Sequence, residues 1–110
     1  MVQEAVRERY LRDPLPIRLG GLAADLARIA SCVEDSQDRD AVASLLEESK
    51  YFAEWAAMRA PVETQAVLAE LQVLLALWHR RWLIGQSEPR MQEEARRWSD
   101  QLLEMSGLIQ

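Results

Sequence analysis

The chain has 110 residues, is 49% hydrophobic and carries a formal net charge of −5 at pH 7. This length buries about 65% of the surface that the unfolded chain exposes, so a core is possible without disulfides or metal ions. The acidic balance argues against non-specific nucleic-acid binding, which depends on Lys and Arg neutralising phosphates. One Phe, two Tyr, four Gly and four Pro favour helices over strands.

The sequence also argues against export and membrane insertion. The first ten residues, MVQEAVRERY, carry charges where a secretory signal needs an apolar run. The most apolar stretch, AVLAELQVLLALW, is too short and too interrupted to cross a bilayer. Cys32 is the only cysteine, and its helical spacing from neighbouring leucines predicts a packed thiol. We therefore expect a cytoplasmic protein.

The chain begins with a predicted arm or short helix over residues 1–13, which Pro14 and Pro16 separate from the rest. The first long helix follows. Its apolar residues recur at alternating spacings of four and three, which places them on one helix face. They are Leu15, Leu19, Leu22, Leu26, Ile29 and Val33. The polar stretch EDSQDRD comes next, where Ser36 or Asp38 can cap the following helix.

The second long helix is predicted from about Asp38 to Met58. Pro61 then begins a third helix, because proline suits a first helical turn, and Gly85 ends it. Its apolar stripe consists of Leu68, Leu71, Leu75, Trp78 and Trp82.

The fourth long helix has the clearest spacing in the chain. Ser87, Glu88 and Pro89 form its predicted cap and first turn, and Gly107 ends it. Short loops between long amphipathic helices favour antiparallel neighbours. The sequence therefore predicts an all-α fold, an antiparallel up-down four-helix bundle over residues 14–110, with the short N-terminal arm before it.

Two adjacent glycines interrupt the first stripe, although each costs a helix interior about 1 kcal/mol relative to alanine. Gly20 begins a ridge of small residues that continues through Ala23, Ala27 and Ala30. Such a ridge allows close approach of a neighbouring helix or makes room for the large rings of the second helix. Two alternatives stay open: Gly20 and Gly21 end a non-helical segment, or they form a ligand site.

Four tryptophans against a single phenylalanine are the other unusual feature. Folding the last two helices together brings Trp78, Trp82 and Trp98 close to one another. They form either an aromatic core or a partly exposed patch beside arginines such as Arg81, because Trp and Arg are enriched at interaction hot spots. The candidate interface thus comprises Gly20, Gly21, Trp78, His79, Arg81, Trp82 and Trp98.

The sequence gives little support for a catalytic or metal-binding site. His79 is the only histidine, and Ala76 stands three residues before it, so the paired Glu-x-x-His motifs of a di-iron bundle are absent. A haem held by His79 and a methionine, or a phosphorylated His79, matches no surrounding motif, and no nucleophile, base and acid set is specified. We predict no catalytic, cofactor or metal-binding residues.

Three stretches carry a resemblance: LRDPLPIRLGGLAADLARI, SLLEESKYFAEW and LLEMSGL. Together they resemble a family of small uncharacterised helical proteins found in cyanobacteria. This resemblance implies a bacterial cytoplasm as the setting and implies no activity or site residues.

The sequence favours a non-enzymatic interaction module that acts through helix-face contacts, either with a protein partner or as a homodimer. The alternative is a small-molecule carrier that holds an apolar or aromatic ligand between helices, near Trp78, Trp82 and Trp98. Neither nucleic acid nor a membrane is expected as a partner.

Overall fold

A computed structural model describes residues 2–86 and 89–108. These residues form five α-helices and no strand: α1 (Val2–Arg12), α2 (Leu15–Cys32), α3 (Arg39–Ala57), α4 (Val62–Leu83) and α5 (Met91–Ser106). A short 3₁₀ turn, Ser36–Asp38, joins α2 to α3. The all-α prediction is confirmed. Val2–Arg12 forms a helix, one of the two alternatives predicted for residues 1–13, so the described residues form five helices and the four-helix bundle with an arm is not confirmed.

Helix ends follow the expected backbone chemistry. Gly85 and Gly107, placed after α4 and α5, adopt φ values of 77° and 72°, which only glycine reaches at little cost. Pro61 stands at the start of α4, where its missing N–H is no loss. Of the two caps predicted before α3, Asp38 makes no capping bond; Asp35 accepts from the backbone N–H of Gln37 at 2.9 Å instead. The Ser36 side chain, Ser87 and Glu88 lie outside the described residues.

The packing order differs from the chain order at one point. Helix α2 packs against α5 and α3, and α3 packs against α4, whereas the consecutive helices α4 and α5 contact each other little. Ser99 and Gln92 of α5 bond α2 carbonyls, which fixes α5 antiparallel to α2. The loop 84–90 therefore connects the two ends of the row α5, α2, α3, α4.

Helix α1 packs on α3 and is not a detached arm. The ring of Tyr10 stacks on Phe52 with centroids 4.3 Å apart, and its hydroxyl donates to the carbonyl of Arg18 at 2.7 Å. Burial raises the pKa of the Tyr10 phenol, so the hydroxyl stays protonated and keeps donating.

Arg18 ties the ends of two helices together from a buried position. Its Nε donates to the carbonyl of Asp13 at 3.1 Å, and its Nη1 donates to the carbonyl of Trp55 at 3.3 Å. Both carbonyls lie near helix C-termini, where the helix dipole favours a cation. The guanidinium thus joins α1, α2 and α3 at one end of the molecule.

Candidate functional site

Helix α4 carries apolar residues on two opposite sides. The predicted stripe, from Leu68 to Trp82, is buried in the core. A second series follows spacings of four and three residues and continues with Leu83 after Arg80. At about 100° per residue, this series points roughly away from the core. Its members are all exposed: Val62, Ala66, Ala69, Val73, Ala76 and Leu83. We call this series, with the adjoining Leu77, the outer face of α4.

The outer face presents branched aliphatic side chains to solvent. Val62 is 75% exposed and Val73 is 72% exposed, and Leu77 and Ile84 are exposed as well. Single exposed aliphatic residues are ordinary on protein surfaces, whereas a continuous apolar stripe along one helix is typical of a contact surface. The stripe therefore shows that one apolar face of α4 is not packed against the described part of the chain.

A groove runs beside the outer face because α4 and α5 stand apart. Its volume is about 590 Å³. Val73, Leu74 and Leu77 line it from α4, and Trp98 lines it from α5. Charged and amide groups form the rest of the lining: Glu70, Glu94, Arg97 and Gln101. Apolar side chains with a charged border are the usual composition of a groove that receives an amphipathic helix.

The three tryptophans that the sequence predicted to lie close together belong to the core. Trp78 is 2% exposed, and Trp82 and Trp98 are each 8% exposed. The rings therefore do not form the partly exposed patch that the sequence left open. Only Trp98 reaches a surface feature, since it also lines the α4–α5 groove.

Trp82 is held by a reciprocal pair of bonds to the first residue of α3. Its Nε1 donates to the carbonyl of Arg39 at 2.9 Å, and Arg39 Nη2 donates back to the carbonyl of Trp82 at 2.6 Å. The Arg39 guanidinium also lies 4.3 Å from the centroid of the Trp82 ring, within range of a cation–π interaction. These bonds fix the C-terminal end of α4 on α3, so the α4–α5 groove has one rigid wall.

Gly20 and Gly21 lie inside α2, which overturns the alternative that they end a non-helical segment. A Cβ on Gly20 would come within 2.8 Å of Leu108 Cδ1, whereas a Cβ on Gly21 would lie 3.9 Å from Tyr10 Cε1. The ridge thus allows close approach, but to α5 and its tail. The expectation that it makes room for rings of α3 is wrong for Gly20.

Two more small residues of the ridge also lie against α5. Ser99 Oγ donates to the carbonyl of Ala23 at 2.8 Å, and Gln92 Nε2 donates to the carbonyl of Ala30 at 2.9 Å. The short Ser99 side chain reaches the α2 backbone because small residues of α2 keep the two helices close. Gly20 therefore allows a close contact inside the chain, whereas Gly21 leaves room for an ordinary contact with Tyr10.

His79 lies apart from the tryptophans, in a polar groove of about 450 Å³ between α3 and α4. Lys50 Nζ is 3.2 Å from His79 Nδ1. Because an ammonium only donates, Nδ1 accepts and the ring proton sits on Nε2. Burial, followed by the charge of Lys50, lowers the pKa of His79, while Glu47 opposes the shift. A neutral imidazole at neutral pH is the result.

Arg81 is half-buried on α4, close to His79 along the helix. Its carbonyl accepts from the backbone N–H of Gln86 at 2.9 Å, which belongs to the turn that ends α4. The structure therefore places Arg81 with the helix terminus, outside the lining residues of the α4–α5 groove.

A carboxyl pair lies between α2 and α3, in which Asp25 is buried and Glu48 is exposed. Asp25 is 4% exposed, its Oδ2 has no hydrogen-bond partner, and its Oδ1 is 3.7 Å from the guanidinium of the exposed Arg28. Burial, with the nearby carboxylate of Glu48 as the next cause, raises the pKa of Asp25 to about 7. Asp25 is thus a pH-sensitive buried group, and neither Asp25 nor Glu48 lines the α4–α5 groove.

Cys32 is half-buried at the end of α2, as the spacing predicted. Partial burial raises the pKa of its thiol, and the carboxylates of Asp38 and Asp35 add to the effect. Over residues 2–86 and 89–108, His, Cys, Asp and Glu side chains form no cluster of three or more that could hold a metal ion. In the same part of the chain, each helix is too short or too polar to cross a membrane.

No family model, curated protein or solved structure matches this chain. We therefore take the function from the residues and geometry of the chain itself.

The predicted interface residues do not form one surface. The glycines face α1 and the tail of α5, the three rings lie in the core, and His79 lines a separate groove. The exposed apolar residues of α4 were missed, although the spacing from Val62 to Ala76 was readable. The buried stripe accounts for Leu68, Leu71 and Leu75 of this helix, and spacing alone does not show that a second series lies on an exposed face.

Proposed function

We propose that this chain is a non-enzymatic protein-interaction module that works through helix-face contacts. The outer face of α4, together with the α4–α5 groove, is its docking surface, and the observation that carries the proposal is the second apolar stripe on α4. In this proposal α2 to α5 act as the predicted four-helix bundle, with α1 bracing α3, and the bacterial cytoplasm is the setting.

The energetic reason for docking is the apolar area left in water. Fully burying a Val or Leu side chain stabilises a complex by about 1.5–3 kcal/mol before the entropic cost of association. Val73 and Leu77, one helical turn apart, lie where the outer face and the groove meet. They are the central contacts, because side chains at the centre of an interface are the most completely dehydrated.

The shape of the surface selects the kind of partner. A cleft between two helices accepts an amphipathic helix, whose apolar residues at positions such as i, i+4 and i+7 fill it. Glu70, Glu94 and Arg97 line the cleft and meet the polar side of such a helix. Helix α4 is held by α3 and by the Arg39–Trp82 bonds, so little ordering is needed before contact.

A second candidate is a carrier of an apolar ligand. The observation that favours it is the groove volume of about 590 Å³ beside Trp98, within the range of small-molecule sites. The ligand would lie between α4 and α5 and contact only Trp98 of the three predicted tryptophans.

Site-directed photo-crosslinking in cells tests the docking surface. A benzophenone side chain at position 73 is expected to give a discrete product whose partner peptide is an amphipathic helical segment. The same group at Ala24, which is exposed on α2, is the matched control and is expected to give none. Adding Leu77→Glu to the position-73 variant is expected to remove the product. A position-73 pattern identical to that of position 24 would overturn the proposal.

A further inference from the structure

The charges along α4 are divided between its two ends. Glu63 and Glu70 lie in the N-terminal part of the helix, and Arg80 lies in the C-terminal part, within the series of the outer face. All three side chains are exposed. A helix with one acidic and one basic end complements a second copy of itself only when the two run in opposite directions.

Antiparallel pairing also matches the apolar residues. When two copies of α4 cross with Val73 at the centre, Val62 of one lies level with Ile84 of the other. Ala69 then lies level with Leu77 of the second copy, and Val73 meets Val73. Small residues opposite large ones let the helix axes approach to about 8–10 Å. Ala76 and Leu83 of the second copy lie level with Glu70 and Glu63, one residue from Ala69 and Val62, so the two apolar series overlap along the paired helices.

The same register places opposite charges together. Arg80 of the second copy lies level with Ala66, between Glu63 and Glu70. Its aliphatic stem covers the small Ala66 side chain while the guanidinium reaches the carboxylates. A parallel pair would instead bring Glu63 to Glu63, Glu70 to Glu70 and Arg80 to Arg80, which is repulsive at three levels.

We infer that the occupant of the docking surface is a second copy of this chain, paired antiparallel through α4 about Val73. This inference rests on the proposed function and adds the identity and direction of the partner. With 22 residues, α4 is about 33 Å long, so contact extends across the whole height of the molecule. The resulting homodimer has two-fold symmetry and is closed, since each copy uses the same surface.

Disulfide trapping reads the direction of pairing. The native cysteine is first removed by Cys32→Ala, and single cysteines are then introduced by Val73→Cys or Val62→Cys. We expect the Val73→Cys protein to form a covalent dimer under mild oxidation, because the two positions meet at the two-fold axis. The Val62→Cys protein is expected to remain unlinked, since its two sites lie at opposite ends of the paired helices. Linkage through Val62→Cys would overturn the antiparallel arrangement.

Charge reversal tests the register with purified protein in sedimentation equilibrium. Arg80→Glu is expected to weaken self-association about tenfold or more, because it sets a third carboxylate beside Glu63 and Glu70. The triple variant Glu63→Arg, Glu70→Arg and Arg80→Glu is expected to restore it. Arg12→Glu, an exposed reversal on α1 with the same change of net charge, is the control and should leave association unchanged. Equal association of the Arg80→Glu and Arg12→Glu proteins would contradict the register.

Failure of this inference is distinguishable from failure of the proposed function. Purified protein that stays monomeric, with no Val73→Cys dimer, overturns the second copy as occupant. A discrete photo-crosslink from position 73 to a different chain would then leave the docking surface standing. Absence of both products removes both proposals.

Discussion

At the scale of single residues, the least usual group is Asp25. Its carboxyl is buried, one oxygen lacks a hydrogen-bond partner, and Glu48 lies close enough to act on its charge. The pKa rises from its ordinary 3.8 to about 7, chiefly because burial penalises the charged form. The folded protein therefore binds a proton that the unfolded chain releases at much lower pH.

This pKa shift makes stability depend on pH in a defined direction. Between pH 3.8 and about 7 the folded state holds the extra proton, so the free energy of unfolding falls as pH rises and levels off above pH 7. Asp25→Asn keeps a neutral group in place and is expected to stabilise the protein by about 2–4 kcal/mol above pH 7, with little effect near pH 4. Urea denaturation of both proteins across this range measures the difference.

Glu48→Gln is the matched control for Asp25→Asn. It removes the neighbouring negative charge and is expected to lower the pKa of Asp25. The free energy of unfolding then stops falling at a lower pH than in the wild type. A stability difference between wild type and Asp25→Asn that is constant from pH 4 to 8 would contradict the assignment.

At the scale of helices, periodicity predicted most of the fold. The alternating spacing of Leu15 to Val33 predicted α2, and the glycine after α5 predicted the end of that helix. Both predictions agree with the structure to within a few residues. The packing partners of each helix were harder to predict than its bounds. Short loops favour packing between consecutive helices, whereas α5 packs on α2. The packing of α5 on α2 depends on the small residues Gly20, Ala23 and Ala30. The sequence predicted this ridge of small residues but paired it with the rings of α3 instead of with α5.

The candidate site was harder to predict than the fold. Apolar spacing identifies a helix face, but it does not tell whether the face meets the core, a partner or solvent. Val62, Ala66, Ala69 and Val73 satisfy the spacing rule as well as the buried leucines do. Only the packing of α4 on α3, and its separation from α5, shows which face remains uncovered.

The close contact of α2 with α5 predicts different outcomes at two adjacent glycines. Gly21→Ala is expected to stabilise the protein by about 0.5–1 kcal/mol, because the new methyl meets only an ordinary contact with Tyr10 and alanine favours the helix. Gly20→Ala is expected to gain less, since Leu108 must move from a position 2.8 Å from the new atom. Thermal unfolding of the two variants measures this order, and an equal gain at both positions would contradict close approach at Gly20.

At the scale of the whole molecule, the described helices bury a common core and leave the outer face of α4 exposed. All four tryptophans are in the core, so the aromatic residues stabilise the fold, whereas the aliphatic residues on the outer face of α4 are exposed. The Arg39–Trp82 bonds hold α4 in place, with its outer face and the adjoining groove open to a second helix. The molecule thus combines a fixed scaffold with one exposed face of α4, which we propose as the docking surface.

Native mass spectrometry of protein gently purified from its own host tests docking through α4, because it measures partner masses and retained small molecules together. We predict that the wild type and the Ala24→Glu control carry a second chain, and that Val73→Glu carries none. A retained small molecule on a single chain would support the carrier instead. A single bare chain for the wild type, or an unchanged complex for Val73→Glu, would contradict docking through α4.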